Sequence, residues 1–189
     1  MKNHLILFTF ATLLLSVNSG IAQTESSSFV TNSLFKINFY YPGVSYEQSI
    51  GKFSTLYLAP YLNGIITNKE ENLDRKRNFY LTPCFNVGYR NYYNIKQRYE
   101  KGKNITLNSA NYFSTTYILR YTKTTPDSDY SFLHQIGIGY GIQRNWSSGF
   151  ALDIQGGMKY TFDADNINYY SPLKFYIHCA IGYWLGKKK

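Results

Sequence analysis

The residues of this chain that could do chemistry are few and dispersed. His134 follows Ser128 and Ser131 closely, and a histidine beside a serine is the pairing in which a base activates a hydroxyl nucleophile. In an extended segment, however, the next residue on the face of His134 is Ile136, and Gln135 points the other way, so the sequence assembles no triad. His178 stands two residues from Tyr176, a spacing that suits polar packing. The two cysteines, Cys84 and Cys179, and the three histidines are scattered, without the spacing of a metal-ligand set. No metal, other cofactor or catalytic residue is therefore expected. What recurs instead is charge. Lys36, Glu47, Arg90, Arg120, Asp153, Lys159 and Lys174 occur one or two per segment of apolar alternation, always between the apolar positions.

That alternation defines the elements holding these side chains. Phe150, Leu152, Ile154, Gly156, Met158, Tyr160 and Phe162 alternate with Ala151, Asp153, Gln155, Gly157, Lys159 and Thr161. Leu173, Phe175, Ile177, Cys179, Ile181, Tyr183 and Leu185 then alternate with Lys174, Tyr176, His178, Ala180, Gly182 and Trp184. A period of two is a strand period. The same pattern runs through 131–143, 111–122, 79–92 and 53–64, giving six long strands. In residues 33–50 the apolar row Phe35, Ile37, Phe39 and Tyr41 alternates cleanly up to Pro42-Gly43, a turn signal that divides them into strands 33–41 and 44–50. One bulged edge strand carrying the proline is the alternative, making the total seven rather than eight.

Residues 1–22 have the form of a signal peptide: Lys2, an apolar run from Leu5 to Leu15, and a small-residue ending at Ala22. Residues 23–32 read as a leader and 33–189 as a single barrel domain. The rest of the sequence has no apolar run approaching the roughly 20 residues of a helical span, so a membrane would be crossed by strands. The 20 Tyr and 13 Phe of the full sequence, against 16% charged residues, fit that reading. The net charge of +9 is assigned to anionic lipid headgroups or lipopolysaccharide rather than to nucleic acid.

Alternation alone also fits a soluble lipocalin-like barrel with its apolar side inward. The polar side distinguishes the two. It is rich in glycine and aromatic hydroxyls and sparse in charge, as a narrow lumen requires and a solvated face does not. The expectation is an all-β, eight-stranded antiparallel up-and-down transmembrane β-barrel, even-numbered as bacterial outer-membrane barrels are. Glu47 and Asp153 would then lie in the lumen among five basic partners, their charge tolerated through hydrogen-bonded ion pairs. The filled lumen argues against a passive pore. Cys84 falls on the lumen side and Cys179 on the lipid side of non-neighbouring strands, so no disulfide is expected. With both termini on the periplasmic side, polar loops 65–78, 123–130 and 163–170 face outward. The inner connections are short except 93–109, which is read as holding a helical turn capped by Gly102. Tyr92, Tyr93, Trp146, Tyr169, Tyr170 and Trp184 read as interfacial girdle residues.

Several stretches carry a family resemblance: Gly20-Ile21-Ala22-Gln23, Pro42-Gly43-Val44-Ser45-Tyr46-Glu47, Arg90-Asn91-Tyr92-Tyr93-Asn94, Lys101-Gly102-Lys103 and Ile181-Gly182-Tyr183-Trp184-Leu185-Gly186. By these the chain resembles small bacterial outer-membrane β-barrel proteins of the OmpA/OmpX-like, Bacteroidota type. The final strand is similar to the C-terminal signal read by barrel assembly machinery, but departs from it in the trailing Lys187 to Lys189. The resemblance implies an outer-membrane location, with outer-membrane lipids as partners, but no particular activity; the signal peptide, the whole-chain alternation and the short loops lead to the expectation of a non-enzymatic role in envelope structure, surface contact or adhesion. Two alternatives stand beside it. One is a lipid-modifying enzyme using His134, since some barrels of this kind act on lipid A. The other is a soluble carrier of a hydrophobic ligand.

Overall fold

The computed structural model describes residues 28–71, 74–123, 130–162 and 172–185; the signal-peptide reading and the 163–170 loop lie outside them. Eight strands follow one another: β1 (Ser33–Asn38), β2 (Gly43–Ser49), β3 (Ser54–Glu71), β4 (Asp74–Asn91), β5 (Asn111–Lys123), β6 (Tyr130–Asn145), β7 (Phe150–Phe162) and β8 (Leu173–Leu185). Each pairs antiparallel with the next, and β1 pairs with β8, which closes the barrel. The architecture is therefore all-β and up-and-down. Pro42-Gly43 divides residues 33–50 into two strands, and the turn before Gly43 lets its backbone approach Pro60 and Tyr61 where a Cβ would collide.

The ring is polar inside and apolar outside. Lys36, Glu47, Thr82, Arg90, Gln135, Gln143 and Asp153 are buried, whereas Phe79, Leu81, Phe132, Ile138, Phe175 and Ile177 are exposed on the outer face of the ring. Ala151, Asp153 and Gln155 are buried and alternate with exposed Phe150, half-buried Leu152 and exposed Ile154 along β7.

Three expectations need correction. Residues 65–78 are largely ladder: β3 and β4 continue past Gly64 to the pair Glu71↔Asp74. Apolar alternation ends before the strands do, because backbone pairing continues where neither face demands burial. Tyr92 and Trp184 are not girdle residues but are buried, at 0% and 8% exposure, while Tyr93 and Trp146 are exposed; Tyr169 and Tyr170 lie outside the described residues. Tyr92 has the parity of inward-facing Arg90, and Trp184 that of buried Gly182. Finally, Tyr41 does not continue the outer row of Phe35 and Ile37. Strand β1 stops at Asn38, and the turn stacks Tyr41 on inward-facing His178 at 4.8 Å.

The connection between β4 and β5 closes one end of the ring, here called the base. Its helix α1 (Ile95–Glu100) is followed by a 3₁₀ turn, Thr106–Asn108. Ile95 and Ala110 are fully buried with Val30, Tyr92 and Tyr112, and Phe29, Phe53 and Ile105 pack around them. Part of the leader thus belongs to the base. Phe29 donates its backbone N–H to the Lys52 carbonyl, and Thr31 donates its own to Asn108 Oδ1.

The end of α1 is fixed by Gly102. Its N–H reaches the Tyr99 carbonyl and that of Lys103 reaches the Arg98 carbonyl, a Schellman closure with Gly102 at φ +63°. A Cβ there would meet nothing within 4 Å, so a substitution costs backbone conformation alone. Gly102→Ala is expected to lower unfolding stability by about 1 kcal/mol in urea titrations, and Gly102→Asn by less, because asparagine enters the left-handed region more readily.

Candidate functional site

The densest polar constellation lies inside the ring next to the base. Glu47 of β2 is fully buried and saturated with donors. Its Oε1 accepts from Arg90 Nη1 at 2.9 Å and Lys36 Nζ at 3.4 Å. Its Oε2 accepts from the Tyr92 hydroxyl at 2.8 Å and Asn108 Nδ2 at 3.0 Å. Arg90 Nη2 meets Asp153 Oδ2 at 2.8 Å, and the Tyr112 hydroxyl donates to Asp153 Oδ1 at 2.6 Å. Gln143 Oε1 accepts from Arg90 Nη1 at 2.9 Å and Lys36 Nζ at 3.3 Å. Gln143 Nε2 donates to the Leu107 carbonyl at 3.1 Å. Two cations and two carboxylates thus balance. The Arg90 guanidinium also lies 3.8 Å from the Tyr57 ring centroid and 4.4 Å from that of Tyr112, where the ring faces favour a cation.

Local sequence delivers each group. Alternation places Glu47, Arg90, Tyr112, Gln143 and Asp153 inward on five different strands. Gly141 leaves the space that the Tyr112 ring occupies, since a Cβ at 141 would overlap that ring. Asn108 arrives differently, from two consecutive left-handed residues, Leu107 at φ +56° and Asn108 at φ +63°. Asparagine tolerates that region; leucine does so at a cost. The geometry turns the Leu107 carbonyl toward the amides of Gln143 and Asn145.

Of the seven charged positions singled out from sequence, Lys36, Glu47, Arg90 and Asp153 meet in this network. Two basic side chains rather than five reach the carboxylates. Arg120 and Lys159 line a separate cavity farther from the base, and Lys174 stands opposite Lys159 in the β7–β8 ladder. Tyr92, Gln143 and Asn108 were not among the seven. Parity with Arg90 and Gly141 places the first two inward; nothing in the sequence announces Asn108, which depends on the fold of the connection.

The network has no arrangement for turnover. Every carboxylate oxygen in it carries a donor, and its charges are 0–4% exposed. His134 stands on the outer face, with Nδ1 2.6 Å from the Tyr117 hydroxyl, a phenol rather than a serine. Cys84 is buried inside the ring; Cys179 lies on the outward register of β8, and both are free thiols. Among the described residues no group of His, Cys, Asp and Glu is placed to hold a metal ion. What the constellation can do is lock. It ties β1, β2, β4, β5, β6 and β7 to the base connection through charge-assisted bonds.

Comparison with protein-family models, curated proteins and solved structures found no match.

Removing one charge unbalances the network. Glu47→Gln is expected to cost about 3–5 kcal/mol of stability, because Arg90 and Lys36 stay buried with one carboxylate between them. Adding Lys36→Met restores neutrality, so the double variant should unfold at higher denaturant than Glu47→Gln alone; a double-mutant cycle in urea measures this.

Proposed function

We propose that the chain is an integral outer-membrane β-barrel, exported through its N-terminal signal, whose role is non-enzymatic: envelope structure, surface contact or adhesion. The observation carrying this reading is the inverted partition of side chains, with paired charge and amides inside and a continuous apolar surface outside. A carrier of hydrophobic ligands would need the apolar side inward, opposite to the arrangement found.

Two bands of aromatic residues support the reading. Near the base, Tyr93, Phe113 and Tyr140 cluster, and the Tyr140 hydroxyl bonds Tyr93 at 3.0 Å and Asn111 at 2.7 Å. Toward the opposite end, Tyr121 stacks on Tyr130 at 5.2 Å and packs against Phe132, while Tyr160 packs against Phe162. Between them the outer face carries Ile136 and Ile138 on β6. Tyr130 and Tyr140 mark the two levels on that strand. At roughly 3.3 Å per residue and a tilt of about 40° they are about 25 Å apart along the barrel axis, the height of the apolar band in such barrels. Aromatic side chains belong at both edges of that band, where an apolar ring meets polar headgroups.

On this reading the outward ends are the β1–β2, β3–β4, β5–β6 and β7–β8 connections, and the base faces the periplasm. Outer-membrane lipids and lipopolysaccharide contact the wall, and β8, ending in outward-facing Tyr183 and Leu185, is the segment offered to barrel assembly machinery. The protein is expected to fractionate with outer membranes and to run with heat-modifiable mobility; release into the water-soluble fraction would sink the proposal. Ile136→Arg, at mid-band, should cost about 2–4 kcal/mol of folding stability in bilayers, and Tyr130→Arg, at the band edge, about 0–1 kcal/mol.

A lipid-modifying role would rest on His134, whose Nδ1 is engaged by Tyr117. Lipid A acyl profiles are expected to be the same with and without the protein, and unaltered by His134→Ala. A profile that changes on expression and reverts in the variant would establish the enzyme instead.

A further inference from the structure

The interior half away from the base differs in electrostatic character from the network beside it. A cavity of about 70 Å³ opens there, among Arg120, Lys159, Asn86, Tyr61, Tyr176 and His178. None of its lining residues is acidic. Asp153, the nearest carboxylate along β7, is already engaged by Arg90 and Tyr112. Among the described residues neither Arg120 nor Lys159 has a carboxylate within 4 Å.

Unsatisfied polar atoms occur around the same space. Arg120 Nε is buried without a hydrogen-bond partner, as are Asn86 Oδ1 and Thr116 Oγ1. Asn86 is 9% exposed and Thr116 4%, and both line the cavity. Such groups are costly inside a protein unless something meets them. Water can satisfy the amide and the hydroxyl, but it leaves the like charges of Arg120 and Lys159 uncompensated in the cavity that both line, and only an anion compensates both.

We propose that this cavity is a binding site for a small oxyanion, a phosphate or sulfate group, held between Arg120 and Lys159. Several acceptor oxygens suit the directional donors present. The guanidinium of Arg120 offers a planar fork, Lys159 a point charge and Thr116 a hydroxyl, while the Asn86 Oδ1 acceptor is left to water. Since one water requires about 10–15 Å³ measured in this way, the cavity has room for a tetrahedral ion. Its place inside the ring makes the proposal independent of what surrounds the outer face.

The test uses the full mature chain folded in nonionic detergent, in phosphate-free buffer at constant ionic strength. Inorganic phosphate is expected to bind with one-to-one stoichiometry in calorimetry and to raise the unfolding midpoint saturably, whereas chloride does neither. Arg120→Gln and Lys159→Gln should each weaken phosphate binding at least tenfold, and Arg120→Lys should weaken it less. Without phosphate, both glutamine variants should unfold no lower than the parent, because each relieves repulsion. Equal responses to phosphate and chloride, absence of binding heat with the parent protein, or unchanged phosphate affinity in both glutamine variants would each overturn the site. If one variant fails to fold, the other and the parental calorimetry still decide. Glucose 1-phosphate distinguishes the source of the group: competition with phosphate extends the site to a phosphate carried on a sugar headgroup, and its absence restricts the site to the free ion.

Discussion

Arg90 is the charge around which the closed end of the ring is arranged. A guanidinium withdrawn from water costs several kcal/mol unless carboxylates and hydrogen bonds surround it, and here they come from distant parts of the chain. Glu47 belongs to β2, Asp153 to β7, Gln143 to β6 and Tyr112 to β5. Satisfying this one side chain therefore specifies the rotation of several strands at once. A slip of one residue in β4 would send Arg90 to the apolar outer face and bring Tyr89 inward. An interior of generic polar residues would close the ring with less discrimination between registers.

The same network explains why the β4–β5 connection is long. A short turn would leave Glu47 and Gln143 at an unsealed end. Instead the connection brings the Asn108 amide to the carboxylate and the Leu107 carbonyl to Gln143, while Ile95 and Ala110 build a small apolar cluster beneath. The left-handed pair at 107–108 is the conformational cost of that delivery. Lys36, Glu47, Arg90, Tyr92 and Gln143, all buried, then obstruct the base. The interior is thus divided into a neutral, donor-saturated end and a cationic cavity, not a passage of uniform character.

Much of this was legible in the sequence, because a strand wall polar on one side and apolar on the other writes its facing directly into residue parity. Parity identifies Asp153 and Arg90 as inward and Ile177 as outward, and Pro42-Gly43 divides β1 from β2. Where both sides of a ladder are polar, parity carries no signal, and strands β3 and β4 outrun their apolar pattern for that reason. Parity also gives the face of a residue but not its height or its partner. It could not separate Lys36, which reaches Glu47, from Lys159, which lies toward the cavity. Asn108 and Tyr41 are placed by turns, whose conformation follows from contacts made only after the ring has closed.

The inverted partition has an energetic consequence as well. Apolar burial contributes roughly 25 cal/mol per Å² of surface removed from water, yet Phe175 and Ile177 are 84% and 83% exposed in the isolated ring. The buried apolar cluster among the described residues is confined to the base. Hydrogen bonds in the interior replace bonds to water and yield about 1 kcal/mol each, against an ordering cost of about 1–2 kcal/mol per residue for the backbone alone. The exposed apolar wall thus contributes nothing to the stability of the isolated ring. On the proposed membrane reading, a lipid environment as apolar as the outer face supplies that term, and the interior network selects which register it stabilises.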